Sequence, residues 1–98
     1  MKESYRLSGA ASADIVNIYK FGIKTFGSQQ ARIYVQSLED LISELATRRE
    51  LARDASMFAE GLKYYRYKSH VIFYIQENFH EIFVIRILGK RMDFIQHL

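Results

Sequence analysis

The side chains able to do chemistry gather in the last third of the chain, at Tyr64, Tyr65, Arg66, Tyr67, Arg86, Lys90, Arg91 and His97. Guanidinium and ammonium groups neutralise phosphate or a developing phosphorane, tyrosine rings stack on bases, and an imidazole moves protons near neutral pH. Such a set suffices to cut RNA without a metal. It equally serves to cover a sheet surface with rings and solubilising charge. Other chemistries lack their residues. His70, His80 and His97 fall on a strand, a turn and the final residues without metal-ligand spacing, and the chain has no cysteine for a thiolate site or a disulfide. Gly9, Gly22, Gly27, Gly61 and Gly89 stand singly, so no glycine-rich loop cradles a phosphate. No serine has a base and an acid placed beside it, and Glu77 and Glu81 flank a turn. The expectation is no metal and no cofactor.

Charge sharpens the location. Residues 1–60 balance their Lys and Arg against Asp and Glu, so the net charge of +3 resides in residues 61–98, where Lys63, Arg66, Lys68, Arg86, Lys90 and Arg91 outnumber Glu77, Glu81 and Asp93. A basic end of this kind points to an acidic partner or nucleic acid. Apolar residues at 49% and charged ones at 26% are those of a folded globular protein. The first residues carry no apolar signal core, and no run reaches the roughly 18 apolar residues of a membrane span. A cytoplasmic protein without membrane contact is expected.

The elements that must position these residues follow from periodicity. Tyr5–Leu7 suits a short strand. Ser8 N-caps a first helix whose apolar face is Ala11, Ile15, Ile18, Gly22 and Phe26, and Gly27 ends it. Ser28 is placed to cap a second helix with a stripe of Ala31, Tyr34, Val35, Leu38, Leu41, Ile42 and Leu45. Only two residues separate the helices, so they fold back as an antiparallel hairpin. Thr47 to Glu60 reads as a connector anchored by Leu51 and Phe58. After Gly61 the period becomes two. Strands are expected at 62–68, 70–76 and 81–88, joined by tight turns and therefore antiparallel.

Alternation then assigns faces. Val71, Phe73 and Ile75, with Phe83, Ile85 and Ile87, have no polar member on their side and are expected to meet the helical hairpin. The opposite side, carrying His70, Ile72, Tyr74, Ile82, Val84, Arg86 and Leu88, reads as a binding surface. The fold class is α+β. A short N-terminal strand and a two-helix antiparallel hairpin pack on a C-terminal antiparallel sheet, in the order β-α-α-β-β-β, as one domain spanning residues 1–98.

This order, together with His70-Val-Ile-Phe-Tyr74 and Arg86-Ile-Leu-Gly-Lys-Arg-Met-Asp93, resembles the ParE toxin branch of the RelE/ParE superfamily. Leu7-Ser8 before an Ala-rich helix, Phe26-Gly27 at the inter-helix turn, Glu50-Leu-Ala-Arg53, Gly61-Leu62 and the closing His97-Leu98 add to the likeness, which spans nearly the whole chain. Family prolines before the first helix and in the connector, a Trp at the position of Phe26 and a Gly at that of Ala52 are missing here.

The resemblance implies the toxin of a type II toxin-antitoxin pair that inhibits DNA gyrase and blocks replication while catalysing nothing itself. It further implies a cognate ParD-like antitoxin in a toxin-antitoxin hetero-oligomer, with nucleic acid met only through gyrase or antitoxin. Target-contacting residues are then Arg86, Lys90, Arg91, Met92 and Asp93. Antitoxin-contacting residues are Tyr64, Arg66, His70, Ile72, Tyr74, Val84 and Leu88. The alternative is the RelE-like branch, a ribosome-dependent mRNA endoribonuclease, which would use Arg66 and Arg91 at the phosphate and His97 in proton transfer.

Overall fold

A computed structural model describes residues 4–98. Strand β1 (Ser4–Leu7) leads directly into helix α1 (Gly9–Phe26). Ser8 makes the junction. Its hydroxyl accepts from the Ala11 N–H at 2.9 Å, the N-cap expected from sequence, and donates to the Ile85 carbonyl at 2.6 Å. The helix start is thereby stitched to the sheet. Gly27, at φ 94°, returns its N–H to the Ile23 carbonyl at 3.0 Å and ends α1, a backbone conformation that an L side chain would strain. Helix α2 (Ser28–Thr47) is capped by Gly27 itself, with no side-chain bond, so Ser28 is not the cap that its hydroxyl suggested.

The two helices approach closely at Gly22 and Ala31, where a Cβ added to Gly22 would stand 3.0 Å from the Ala31 Cβ. Ala31, Leu38, Ile42, Leu45 and Ala46 are the buried residues of α2, matching its apolar period. Phe26 is exposed, although the periodic stripe of α1 included it.

The connector contains more structure than its charge implies. A single 3₁₀ turn (Arg49–Leu51) precedes a two-residue strand β2 (Arg53–Asp54), which pairs antiparallel with Lys63 and Tyr64. Strands β3 (Leu62–Tyr67), β4 (His70–Asn78) and β5 (Glu81–Gly89) form the antiparallel meander, and a short helix α3 (Phe94–His97) follows. The sheet order is β1-β5-β4-β3-β2. Because β1 runs parallel to β5, with Tyr5 beside Ile82 and Leu7 beside Val84, the sheet is mixed and not purely antiparallel.

The face assignment made from alternation is reversed. Ile72, Tyr74, Ile82 and Val84 lie against α1 and α2 in one cluster with Ala11, Leu38, Ile42 and Leu45. Val71, Phe73, Ile75 and Ile85 do share a side, together with Leu62 and Leu88, but it is the side away from the helices, where Ala55 and Phe94 pack against them. Ile87 departs from its expected companions, because the register shifts between Phe73 and Tyr74 and moves it to the helical side. The physical reason is a third layer: the connector and α3 roof the second face, so that face needed to be apolar as well. Polar members of the helical face are tolerated at its margin, where His70 meets Tyr34.

Candidate functional site

A dense polar arrangement lies beside the β5 bulge. Strand β1 stops opposite Val84, so β5 is unpaired on that side beyond it, and the Ile87 N–H donates to Asp14 Oδ2 at 2.9 Å. Arg86 adds a bidentate grip, Nε to Oδ2 and Nη2 to Oδ1, both at 2.8 Å, while Nη1 donates to the His97 carbonyl at 2.9 Å. The side chains of Arg86 and Asp14 are 21% and 11% exposed, and the carboxylate pushes the guanidinium pKa further up. One arginine therefore ties α1, β5 and α3 together. Of the five residues expected to contact a target, Arg86 is already occupied within the fold.

The other four follow immediately after β5. The Lys90 N–H donates to the Ser69 carbonyl at 3.0 Å, and the Met92 N–H closes a turn on the Gly89 carbonyl at 2.9 Å. Asp93 accepts from the Ile95 N–H at 3.1 Å and N-caps α3. This turn presents Lys90, Arg91 and Met92 to solvent on a backbone fixed at both ends.

The residues expected to meet an antitoxin do not form one surface. Ile72, Tyr74 and Val84 are fully buried beneath the helices, and Leu88 is buried under the opposite roof. A partner does not reach these four in this conformation, because the helical layer covers the first three and the connector and α3 cover Leu88. Tyr64 and Arg66 lie on the second face, and His70 is half-buried at the helix margin. Tyr74 is notable for its hydroxyl, which has no hydrogen-bond partner among the described residues; burial pushes its pKa up to about 12. Arg66, Arg91 and His97, the set a ribonuclease would need, share no hydrogen bond or ion pair with one another among the described residues.

Two recesses flank the sheet. The first, of about 380 Å³, opens between the helical hairpin and the β3–β4 turn, with Ile18, Phe21 and Phe26 on one side and Tyr34, Lys68 and His70 on the other. Tyr34 Oη and His70 Nδ1 share a 2.7 Å hydrogen bond. Burial drives the His70 pKa down against the opposing pull of Asp14, and it raises that of Tyr34. Lys68, held at φ 54° in the turn, places its ammonium 5.8 Å from the Tyr34 ring and 5.3 Å from the Tyr67 ring.

The second recess, of about 300 Å³, sits at the β2–β3 edge between Arg53, Tyr64, Tyr65 and Arg66. It adjoins an aromatic notch of about 230 Å³ that shares Tyr64 and Arg66 and is walled by Phe58, Phe73 and Phe94. Those three phenylalanines meet edge to face at centroid distances of 5.1 to 6.2 Å. Sequence reasoning missed Asp14, Tyr34, Arg53 and Phe94. Asp14 alone left a trace, as the only acid in α1.

Among the described residues no group of three His, Asp or Glu side chains could hold a metal ion, and no helix is long and apolar enough to cross a membrane. The family model described as ParE toxin of type II toxin-antitoxin system, parDE, matches residues 5–94. The chain is 30% identical over 95 residues to Toxin ParE of Escherichia coli, covering 97% of this chain and 92% of that protein. It is 30% identical over 98 residues to Toxin ParE1 of Mycobacterium tuberculosis, with both chains covered in full. A solved chain from the chromosomal ParDE TA system of P. aeruginosa superposes with a TM-score of 0.75 over 89% of this chain and 95% of its own, and at 18% identity it supports the fold. The chain therefore belongs to the ParE toxin family of type II toxin-antitoxin systems.

Proposed function

We propose that this protein arrests growth by binding DNA gyrase in the cytoplasm and holding it on cleaved DNA, and that it catalyses no reaction of its own. The carrying observation is the turn after β5, where Lys90, Arg91 and Met92 are exposed on a backbone pinned at Ser69 and Gly89. A rigid cationic knob of this kind suits capture of a large acidic assembly, with the charges steering the approach and Met92 supplying apolar contact. Arg86 and Asp93 contribute by holding the turn and α3 in place. Neutralisation falls to a ParD-like antitoxin in a toxin-antitoxin hetero-oligomer, for which Tyr64, Arg66 and the exposed part of His70 remain available. Ile72, Tyr74, Val84 and Leu88 support these contacts from within.

Incubating the protein with gyrase, ATP and supercoiled plasmid should accumulate linear DNA covalently bound to the enzyme. Lys90→Ala/Arg91→Ala should lower potency roughly tenfold, about 1.4 kcal/mol, with an unchanged melting curve. Absence of trapped DNA at any dose would overturn the gyrase assignment.

A further inference from the structure

We propose that the β2–β3 edge binds single-stranded nucleic acid directly, with a phosphate between Arg53 and Arg66 and a base in the adjoining aromatic notch. This goes beyond the gyrase reading, in which nucleic acid is met only through gyrase or the antitoxin.

The strand register builds the site. Arg53 lies opposite Tyr64 across the β2–β3 ladder, and Arg66 is two residues further along β3. Partners across an antiparallel ladder, and residues two apart on one strand, project to the same face. Arg53, Tyr64 and Arg66 thus stand together on the side away from the helices, with two cations bracketing one ring. The Arg66 guanidinium lies 6.0 Å from the Tyr64 ring centre. Strand β2 begins only at Arg53, opposite Tyr64, so Arg66 has no ladder partner on the outer edge of β3.

Charge bookkeeping favours an acceptor-only ligand. Neither Arg53 nor Arg66 has an ion-pair partner among the described residues, whereas Arg6, Arg48 and Arg86 all do. No carboxylate lines either recess. The one acid on β2, Asp54, pairs with Lys63 and so projects to the other face, where its carboxylate accepts from Ser56 Oγ at 2.9 Å. A pocket with guanidinium and phenol donors and no carboxylate suits a phosphodiester.

The notch decides between a bare phosphate and a nucleotide. Phe58 and Phe94 present ring surfaces beside Tyr64 and Arg66, and the combined space falls at the small end of ligand sites. A base splayed from a single strand can enter it, while a base stacked within a duplex cannot.

Fluorescence anisotropy with labelled DNA and RNA strands of about 12 nucleotides, alongside the matching DNA duplex, tests the site. Single strands should bind more tightly than duplex, and affinity should fall steeply between roughly 50 and 200 mM salt. Arg53→Ala/Arg66→Ala should weaken binding at least tenfold at low salt and flatten the logarithmic salt slope by about 0.7, the loss of one neutralised phosphate. Tyr64→Leu should cost at least fivefold, and Arg53→Lys/Arg66→Lys should retain most of the affinity. Lys20→Ala/Lys24→Ala removes equal charge from exposed positions on α1 and should change nothing. The DNA and RNA arms identify which strand the site takes, and binding of either supports it. No binding at 50 mM salt, equal affinity for duplex, or equal loss in the Lys20/Lys24 variant would each overturn the proposal. Gyrase trapping measured on the same variants reads the earlier proposal separately, because Lys90 and Arg91 are intact in all of them.

Discussion

Asp14 receives three donors from β5, two from the Arg86 guanidinium and one from the Ile87 backbone, in a setting largely shielded from water. Removing either charged partner leaves the other shielded and unmatched. Asp14→Ala should therefore cost roughly 2–3 kcal/mol in a urea titration, somewhat less than a fully buried pair. Arg86→Ala should cost about as much, and the double variant much less than the sum. Tyr74 predicts the opposite sign. Its buried hydroxyl lacks a partner among the described residues, so Tyr74→Phe should leave stability unchanged or raise it by up to about 1 kcal/mol, seen as a melting temperature higher by roughly 4–8 °C at most. His70 sets a pH dependence. Its folded pKa lies below the ordinary 6.5, chiefly through burial, so the unfolded chain takes up the proton first as pH falls. The stability tied to neutral His70 is complete above about pH 6.5 and is lost as pH drops through the lowered folded value. Melts from about pH 8 to 5 should show this loss, and His70→Gln should flatten it. Little of this was legible in the sequence. Arg86 was visible as a cation, but a bulge that rotates it toward a carboxylate 72 residues away leaves no local signature.

At the scale of elements, the hairpin of α1 and α2 was readable because an apolar period and a Gly27 terminator act locally. Its closeness was not, since that depends on Gly22 meeting Ala31 across the pair. Gly22→Ala should force the helices apart and cost on the order of 1–2 kcal/mol, the overpacking outweighing the better helix propensity. Ala31→Gly in the same chain should restore much of the loss, as a two-variant thermal cycle would show. The strands were located to within a residue or two at most ends, but the faces were exchanged. Alternation says which residues lie together and not which layer covers them. The deciding elements were β2 and α3, of two and four residues, both too short for any periodic signal. Arg53 and Phe94 reside on those elements, which is why the β2–β3 edge was invisible beforehand.

The whole molecule is a slab of 37 × 36 × 22 Å, with one face thickened by helices and the other covered by a loop and one turn of helix. The thin side carries Tyr64, Arg66 and the phenylalanine cluster, and the basic excess of the chain begins at the sheet. Fold class and the location of positive charge were both legible at this scale, because each is a sum over many residues. The parallel pairing of β1 with β5 was not, and it bears on how the protein comes into being. On the ribosome the first strand emerges early, yet its hydrogen-bonded neighbour in the sheet among the described residues spans Glu81–Gly89. Translation must run almost to residue 90 before β1 can be seated, and the Lys90–Asp93 turn takes shape only afterwards. A cell making this protein thus has the interval of its synthesis in which the chain is present and the knob is not.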